Sequence, residues 1–288
     1  MAEYPEDLRE LVDAHLAELS FSASPATAGL EEAMRYSLLA GGKRIRPVLS
    51  LATARALGSD PRSYLPAASA IELIHTYSLI HDDLPAMDDD TLRRGKPTAH
   101  VAYGEDVAIL SGDGLFAEAI RLFATQTGES ARVLAALAEL AGATGVDGMV
   151  GGQYVDVTDA EQTGEGLRSL HALKTGRLIG ASVGIVLVLE GLGEGKAAPY
   201  RRFASELGVL FQIVDDILDV TGSDEELGKP QGSDERHGKL TYVSLYGLER
   251  ARELAKESHE KAVSALAAAD GDTTDLHRIA DFIFTRNE

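Results

Sequence analysis

Aspartates are concentrated among apolar residues in two short segments, Asp82-Asp83-Leu84-Pro85-Ala86-Met87-Asp88-Asp89-Asp90 and Asp215-Asp216-Ile217-Leu218-Asp219. Two carboxylates about 4 Å apart repel by roughly 4 kcal/mol at an effective dielectric of about 20, so gathering several needs protons or cations. An oxygen donor set without His or Cys suits Mg²⁺ or Ca²⁺ better than zinc. Mg²⁺ keeps several waters and bridges one or two carboxylates to phosphate oxygens, which fits two sparse clusters facing each other across a cleft. Either cluster alone also reads as a solvated acidic face or a helix N-terminus; two of them beside grouped cations favour the metal.

The spacing says what must hold these side chains. On a helix Asp215 and Asp219 lie about 40° apart, sharing a face with Phe211. Asp82 and Asp88 fall about 120° out of phase, and Pro85 breaks the hydrogen-bond ladder between them, so the helix has to loosen there to bring Asp88 round.

Lys and Arg number 27 against 46 Asp and Glu, a formal charge of −19, which argues against a nucleic-acid binder held by a broad basic surface. Grouped cations therefore stand out: Lys43, Arg44 and Arg46; Arg93, Arg94 and Lys96; Lys174 and Arg177; Lys229, Arg236 and Lys239. Composition alone leaves a small-anion site and ordinary surface clusters equally open. There are no cysteines, and the acidic, amphipathic first 19 residues match neither a secretory signal nor a transit peptide, so a cytoplasmic location is expected. The longest apolar run, residues 178–189, is well short of the roughly 20 residues that span a bilayer, so no stable membrane insertion is expected.

Apolar residues recur at three and four residue spacing, as in Leu30, Met34, Leu38 and Leu39, within Ala-, Leu- and Glu-rich segments. This predicts an all-α chain of about ten helices, with no fixed-period repeat and no linker that would split residues 1–288 into two domains. Residues 183–189 are β-branched enough for a strand, but they continue a periodic segment from Leu170 and are assigned to a buried helix. Residues 222–238 form the longest polar stretch and are read as a lid, a disordered loop being the alternative.

From about Tyr36 onward the chain resembles the trans-isoprenyl (polyprenyl) diphosphate synthases, and among them the bacterial-type farnesyl diphosphate synthases. The resemblance rests on Gly41-Gly42-Lys43-Arg44-Ile45-Arg46-Pro47, both aspartate motifs, Arg93-Arg94-Gly95-Lys96-Pro97-Thr98, Gly151-Gly152-Gln153, Lys174-Thr175-Gly176, Phe211-Gln212 and Lys239-Leu240-Thr241-Tyr242, in that order and spacing. It implies one large bundle of mostly antiparallel helices around a central cavity, and a homodimer. It further implies three Mg²⁺ ions, with Asp82, Asp88 and Asp215 as direct ligands supported by Asp83, Asp216 and Asp219. Arg93, Lys174, Lys229 and Lys239 would hold the allylic diphosphate. Lys43, Arg46, His75 and Arg94 would hold isopentenyl diphosphate. Each has a plainer reading: Lys43 to Arg46 as a solvated turn, Arg93 and Arg94 as an exposed hinge, Lys174 as a surface cation, His75 as a packed core residue.

The reaction implied is ionisation, condensation and elimination, with Asp82, Asp88, Lys174, Thr175, Gln212 and Asp215 carrying the chemistry. Charge building on departing diphosphate would be stabilised electrostatically, while Thr175 and Gln212 present oxygen dipoles to an allylic cation. In the family an aromatic five residues before the first aspartate shortens the product. Tyr77 holds that position here, followed by Ser78. The expected product is therefore farnesyl diphosphate, with geranylgeranyl diphosphate as the alternative. A terpene cyclase or a non-catalytic synthase subunit fits less well, given the Gly41 to Pro47 and Arg93-Arg94 motifs and the intact aspartates. The acidic end, Arg286-Asn287-Glu288, departs from relatives that finish on a basic residue, and it puts a C-terminal contact with the site in doubt.

Overall fold

The computed structural model describes residues 3–158, 163–222 and 239–286. Its helices are α1 (Glu6–Glu18), α2 (Ala28–Leu38), α3 (Ile45–Ala56), α4 (Leu65–Asp82), α5 (Ala99–Tyr103), α6 (Glu105–Phe123) and α7 (Ser130–Thr144). They continue as α8 (Met149–Val157), α9 (Gly164–His171), α10 (Arg177–Leu189), α11 (Glu194–Thr221), α12 (Tyr242–Tyr246), α13 (Leu248–Leu266) and α14 (Thr274–Thr285). The chain is an all-α bundle of mostly antiparallel helices. One apolar cluster runs through it from Tyr4 to Ile283.

The centre is α10. Leu178, Ile179, Val183, Ile185, Val186 and Leu187 are all buried, so this helix is apolar on every side and packs against α3, α7 and α11. The β-branched stretch at 183–189 is thus helical, because burial all round outweighs its strand propensity. Around it α4 packs on α6 and α11 on α13, which sets the C-terminal part of α4 and the middle of α11 facing one cavity.

Two details depart from the sequence expectation. A two-stranded antiparallel hairpin pairs Leu92–Arg93 with Lys96–Pro97, and its turn places Arg94 at φ 53° and Gly95 at φ 73°. Strands this short have no alternation to read, and two consecutive positive φ values make the tight turn that joins them. In addition, residues 130–157 and 164–189, counted through their breaks, are long and apolar enough to cross a membrane by length and composition. In the second run that apolar character is used in packing, since it contains the core helix α10. The expected lid over residues 222–238 lies outside the described residues apart from Gly222.

Candidate active site

The first aspartate motif sits where α4 ends. Pro85 cannot continue the helix, and the chain winds into turns in which the Asp88 amide donates to the Asp82 carbonyl at 2.9 Å and the Asp89 amide to the Leu84 carbonyl at 3.1 Å. Asp89 takes a φ of 51° within this winding. Asp82 and Asp88 are thereby brought onto the same cavity. Asp83 turns the other way: it is buried, and both its oxygens accept from Arg93, with Nε at 2.8 and 2.9 Å. The doublet divides into one carboxylate for the cavity and one that fixes the hairpin.

The second motif stays inside α11. Asp215, Asp219 and Phe211 line the cavity together, as one helical face requires. Asp216 is 1% exposed; it accepts from Gln212 Nε2 at 2.8 Å and from the Tyr242 backbone amide at 2.7 Å. Gln212 in turn accepts from the Thr175 hydroxyl at 3.0 Å. This chain of bonds ties α11 to the start of α12 and to a π-helical turn at Ala172–Gly176. The turn is squeezed from both sides. A Cβ on Gly152 of α8 would fall 2.3 Å from the Lys174 nitrogen, and one on Gly208 of α11 would fall 3.0 Å from the Gly176 Cα. Only glycine permits such approach, and the wider turn directs Lys174 and Thr175 into the cavity.

The cavity is about 850 Å³. Arg46, His75, Tyr77, Ser78, Arg93, Arg94, Lys174, Thr175, Gln212 and Lys239 all line it. Lys43 does not: its side chain is turned aside, with Nζ 5.3 Å from the centre of the Phe282 ring. Lys229 lies outside the described residues. The Gly41-Gly42 turn serves Arg94, which donates to the Gly41 carbonyl and packs so tightly that a Cβ on Gly42 would fall 2.7 Å from its Cζ. The two lysines of the cavity are already matched to carboxylates. Lys239 Nζ lies 2.8 Å from Asp88 Oδ1, Lys174 Nζ lies 2.7 Å from Asp156, and Lys239 lies 3.4 Å from the same Asp156 oxygen.

Asp156 and Arg286 were not singled out from the sequence. Asp156 had a signal, since it follows Gln153 by three residues on one helix face. Arg286 had none. The structure removes the doubt over the C-terminus: Arg286 Nη2 donates to Asp215 Oδ1 at 2.7 Å, and its guanidinium lies 4.5 Å from the centre of the Phe211 ring. Arg46 approaches that ring at 5.6 Å.

Electrostatics follow from this crowding. Burial pushes the Asp82 carboxyl up to about 6; Lys174 opposes the rise and Asp88 adds to it. Burial would raise Asp156 too, but Lys174 and Lys239 outweigh it and hold that carboxyl below the usual range. Burial, and then Arg46, Arg94 and Arg93, drive His75 well below the ordinary histidine value, so it is a neutral imidazole. Arg46 Nη1 lies 3.4 Å from its Nε2, an atom that can only accept from a guanidinium, so the ring proton sits on Nδ1.

A helical bundle with two aspartate motifs and a set of Lys and Arg around one cavity defines a prenyl diphosphate synthase site. Residues 27–280 match the polyprenyl synthetase family, and the chain belongs to that family of trans-prenyltransferases. It is 46% identical over 267 residues to the heterodimeric geranylgeranyl pyrophosphate synthase large subunit 1, chloroplastic, of Arabidopsis thaliana, covering 89% of this chain and 72% of that one. It is 47% identical over 264 residues to the chloroplastic geranylgeranyl pyrophosphate synthase of Capsicum annuum, covering 90% and 72%. The crystal structure of a geranyltransferase from Helicobacter pylori, complexed with magnesium and isoprenyl diphosphate, superposes with a TM-score of 0.87 at 33% identity, covering 99% of this chain and 98% of that one.

These relatives correct two expectations. The farnesyl product does not stand, because the similar chains are named as geranylgeranyl synthases. The farnesyl expectation rested on Tyr77, whose position in the sequence does not say whether its ring crosses the cavity or lies along a wall. Here it is clasped edge-on by Phe116 of α6 at 5.4 Å and by His81 at 5.6 Å. The cytoplasmic location does not stand either, because both relatives are named chloroplastic. An absence of cysteine constrains redox chemistry and leaves the compartment open.

Proposed function

We propose that the chain condenses isopentenyl diphosphate with allylic diphosphates to give geranylgeranyl diphosphate, with Mg²⁺ held between the two aspartate motifs. The observation that carries the chemistry is the convergence of Asp82, Asp88, Asp215 and Asp219 with Arg93, Lys174 and Lys239 on a single cavity. The chain length rests on the names of the similar relatives.

The donor set fits magnesium. It is all oxygen, with Asp82 and Asp88 on one side of the cavity and Asp215 and Asp219 on the other. That suits an ion taking one or two carboxylates and completing its shell from water and substrate. Asp82, Asp88 and Asp215 would hold the ions, three as the family resemblance implies, with Asp219 beside them. When bound, Mg²⁺ supplies positive charge to the departing diphosphate.

The remaining work falls to this chain's own groups. Lys174, Lys239 and Arg93 fix the allylic diphosphate, and the pairs they now make with Asp156, Asp88 and Asp83 set where each ammonium or guanidinium points. Arg46 and Arg94 hold the isopentenyl diphosphate, and neutral His75 adds a hydrogen bond without charge. Lys43 is left out of this set by its place over Phe282. The Thr175 hydroxyl donates a hydrogen bond to Gln212 Oε1 and keeps its lone pairs for a developing cation. Apolar Ile109, Met149, Val150 and Leu218 line the same cavity and limit the water that reaches such a cation.

We read residues 1–288 as one domain, supported by the shared core, and the assembly as a homodimer. Phe116 and Ile120 are 39% and 44% exposed on α6, an apolar surface that a second copy would cover. The names of the relatives point to a plastid as the compartment. The test of function is chromatography of products from labelled isopentenyl diphosphate with farnesyl diphosphate as donor. A twenty-carbon diphosphate is expected, made only with both substrates and Mg²⁺. Elongation that stops at fifteen carbons would overturn the assignment of product, and turnover in chelator would overturn the assignment of site.

A further inference from the structure

The Gly151-Gly152-Gln153 motif has no part in the mechanism above, yet Gln153 lines the cavity that holds Asp82, Asp88, Lys174 and Lys239. Its side-chain Nε2 and Oε1 are both fully shielded, and neither has a hydrogen-bond partner among the described residues. Leaving a buried donor or acceptor unmade costs about 1–3 kcal/mol, so an amide with both ends unmade is a large debt for a purely structural residue. The backbone that presents it is pinned, because Gly152 packs directly on the Lys174 backbone. Two polar side chains of the same site are bonded elsewhere: Asp156, three residues on, accepts from Lys174, and Thr175 donates to Gln212.

A primary amide is one donor group and one acceptor group. A bare diphosphate offers only acceptors, which would satisfy Nε2 and leave Oε1 unmade. A magnesium ion on the diphosphate changes that, because Mg²⁺ keeps several waters, each a donor, beside phosphate oxygens that accept. We propose that Gln153 is a substrate-contacting residue that recognises the hydrated metal diphosphate as a unit, with Nε2 donating to a phosphate oxygen and Oε1 accepting from a metal-bound water. This rests on the function proposed above and deepens it. Lys and Arg read the charge of the diphosphate, and the amide reads whether the metal has come with it.

The experiment is calorimetric binding of inorganic pyrophosphate to the full chain, with Mg²⁺ and in chelator, for the wild type, Gln153→Met and Gln153→Glu. Methionine keeps the length of the side chain and removes both hydrogen bonds; glutamate keeps the acceptor and removes the donor. The wild type is expected to bind pyrophosphate more tightly with Mg²⁺. In Gln153→Met that enhancement should shrink by about tenfold, while affinity in chelator changes by less than about threefold. Gln153→Glu should bind magnesium pyrophosphate more weakly than Gln153→Met, because it adds charge repulsion at the phosphate. Equal losses in the two arms, or no loss in either, would overturn the proposal while leaving the metal site intact. A wild type indifferent to Mg²⁺ would instead defeat the reading of the site itself. Thermal unfolding of each variant separates these outcomes from a fold that has failed.

Discussion

The two aspartate motifs reach the same cavity by opposite means. The first lies at the frayed end of α4, where Pro85 stops the helix and turns bring Asp88 back to Asp82. The second lies within α11, where helical spacing alone aligns Asp215 and Asp219. In each, one member of the leading doublet faces the cavity and its neighbour is buried in the scaffold, Asp83 on Arg93 and Asp216 on Gln212 and Tyr242. A doubled aspartate here is a division of labour between ligand and support. Substitutions of equal chemical size should therefore have effects of different kinds in the two members.

The largest effect is expected on the ligand side. Asp82→Asn and Asp215→Asn should each lower diphosphate release by roughly 10³-fold, the scale on which a single group stabilising developing charge acts. Folding stability of Asp82→Asn should hold or rise, since burial already opposes the ionisation of that carboxylate. Paired rate and urea-denaturation measurements check both halves of that statement. Retained rates would break the comparison at its root.

The scaffold side should show the reverse weighting. Asp216→Ala removes the acceptor from Gln212 Nε2 and from the Tyr242 amide, both in buried surroundings. A loss of about 3 kcal/mol in stability is expected, measured by urea denaturation, with activity falling because the start of α12 and the Thr175 hydroxyl lose their anchor. If Asp216→Ala folds as stably as the wild type, the two doublets are not equivalent.

Acid should act through the same scaffold. His171 packs on Tyr242 with ring centres 5.5 Å apart, and burial, with help from Lys174 and against Asp156, lowers its pKa to about 4. A histidine depressed on folding contributes stability that is present above its unfolded value and lost as pH falls through its folded one. The window is therefore pH 6.5 down to about 4, and its size is at most about 3 kcal/mol. Titration of stability across that window should be shallower in His171→Phe. Identical acid profiles for variant and wild type would remove His171 from the account.

What the sequence could show divides along the same line. Oxygen ligands, helical periodicity and the break at Pro85 are local properties, so the bundle, the two clusters and the loosened end of α4 were legible. Which member of each doublet turns inward depends on what the helix packs against, and no spacing states that. Lys43 follows the Gly-Gly turn that packs on Arg94, and its place over the Phe282 ring is a long-range contact that no spacing states. Asp156 is a single carboxylate whose two lysines come from elements 18 and 83 residues away. Tyr77 shows the limit most plainly, because the expectation of a short product needed the direction of its ring, which lies edge-on to Phe116 and His81.

The smallest expected effect concerns the cations that stand against each motif. Asp88 is met by Lys239, and Asp215 is met by Arg286 from the end of the chain. Arg286 and Asp215 have side chains 20% and 45% exposed, so their pair is screened and contributes up to about 1 kcal/mol. A metal ion arriving at Asp215 meets the positive charge of that guanidinium on the same carboxylate. Arg286→Ala should therefore tighten Mg²⁺ binding to the substrate-free chain by up to about fivefold, more at low salt than at high, as read by calorimetry. Should Arg286 serve chiefly as a clamp on substrate, the same variant would raise KM for isopentenyl diphosphate and leave Mg²⁺ affinity unchanged. The second motif would then differ from the first in having its counter-cation supplied for the substrate and not for the carboxylate itself.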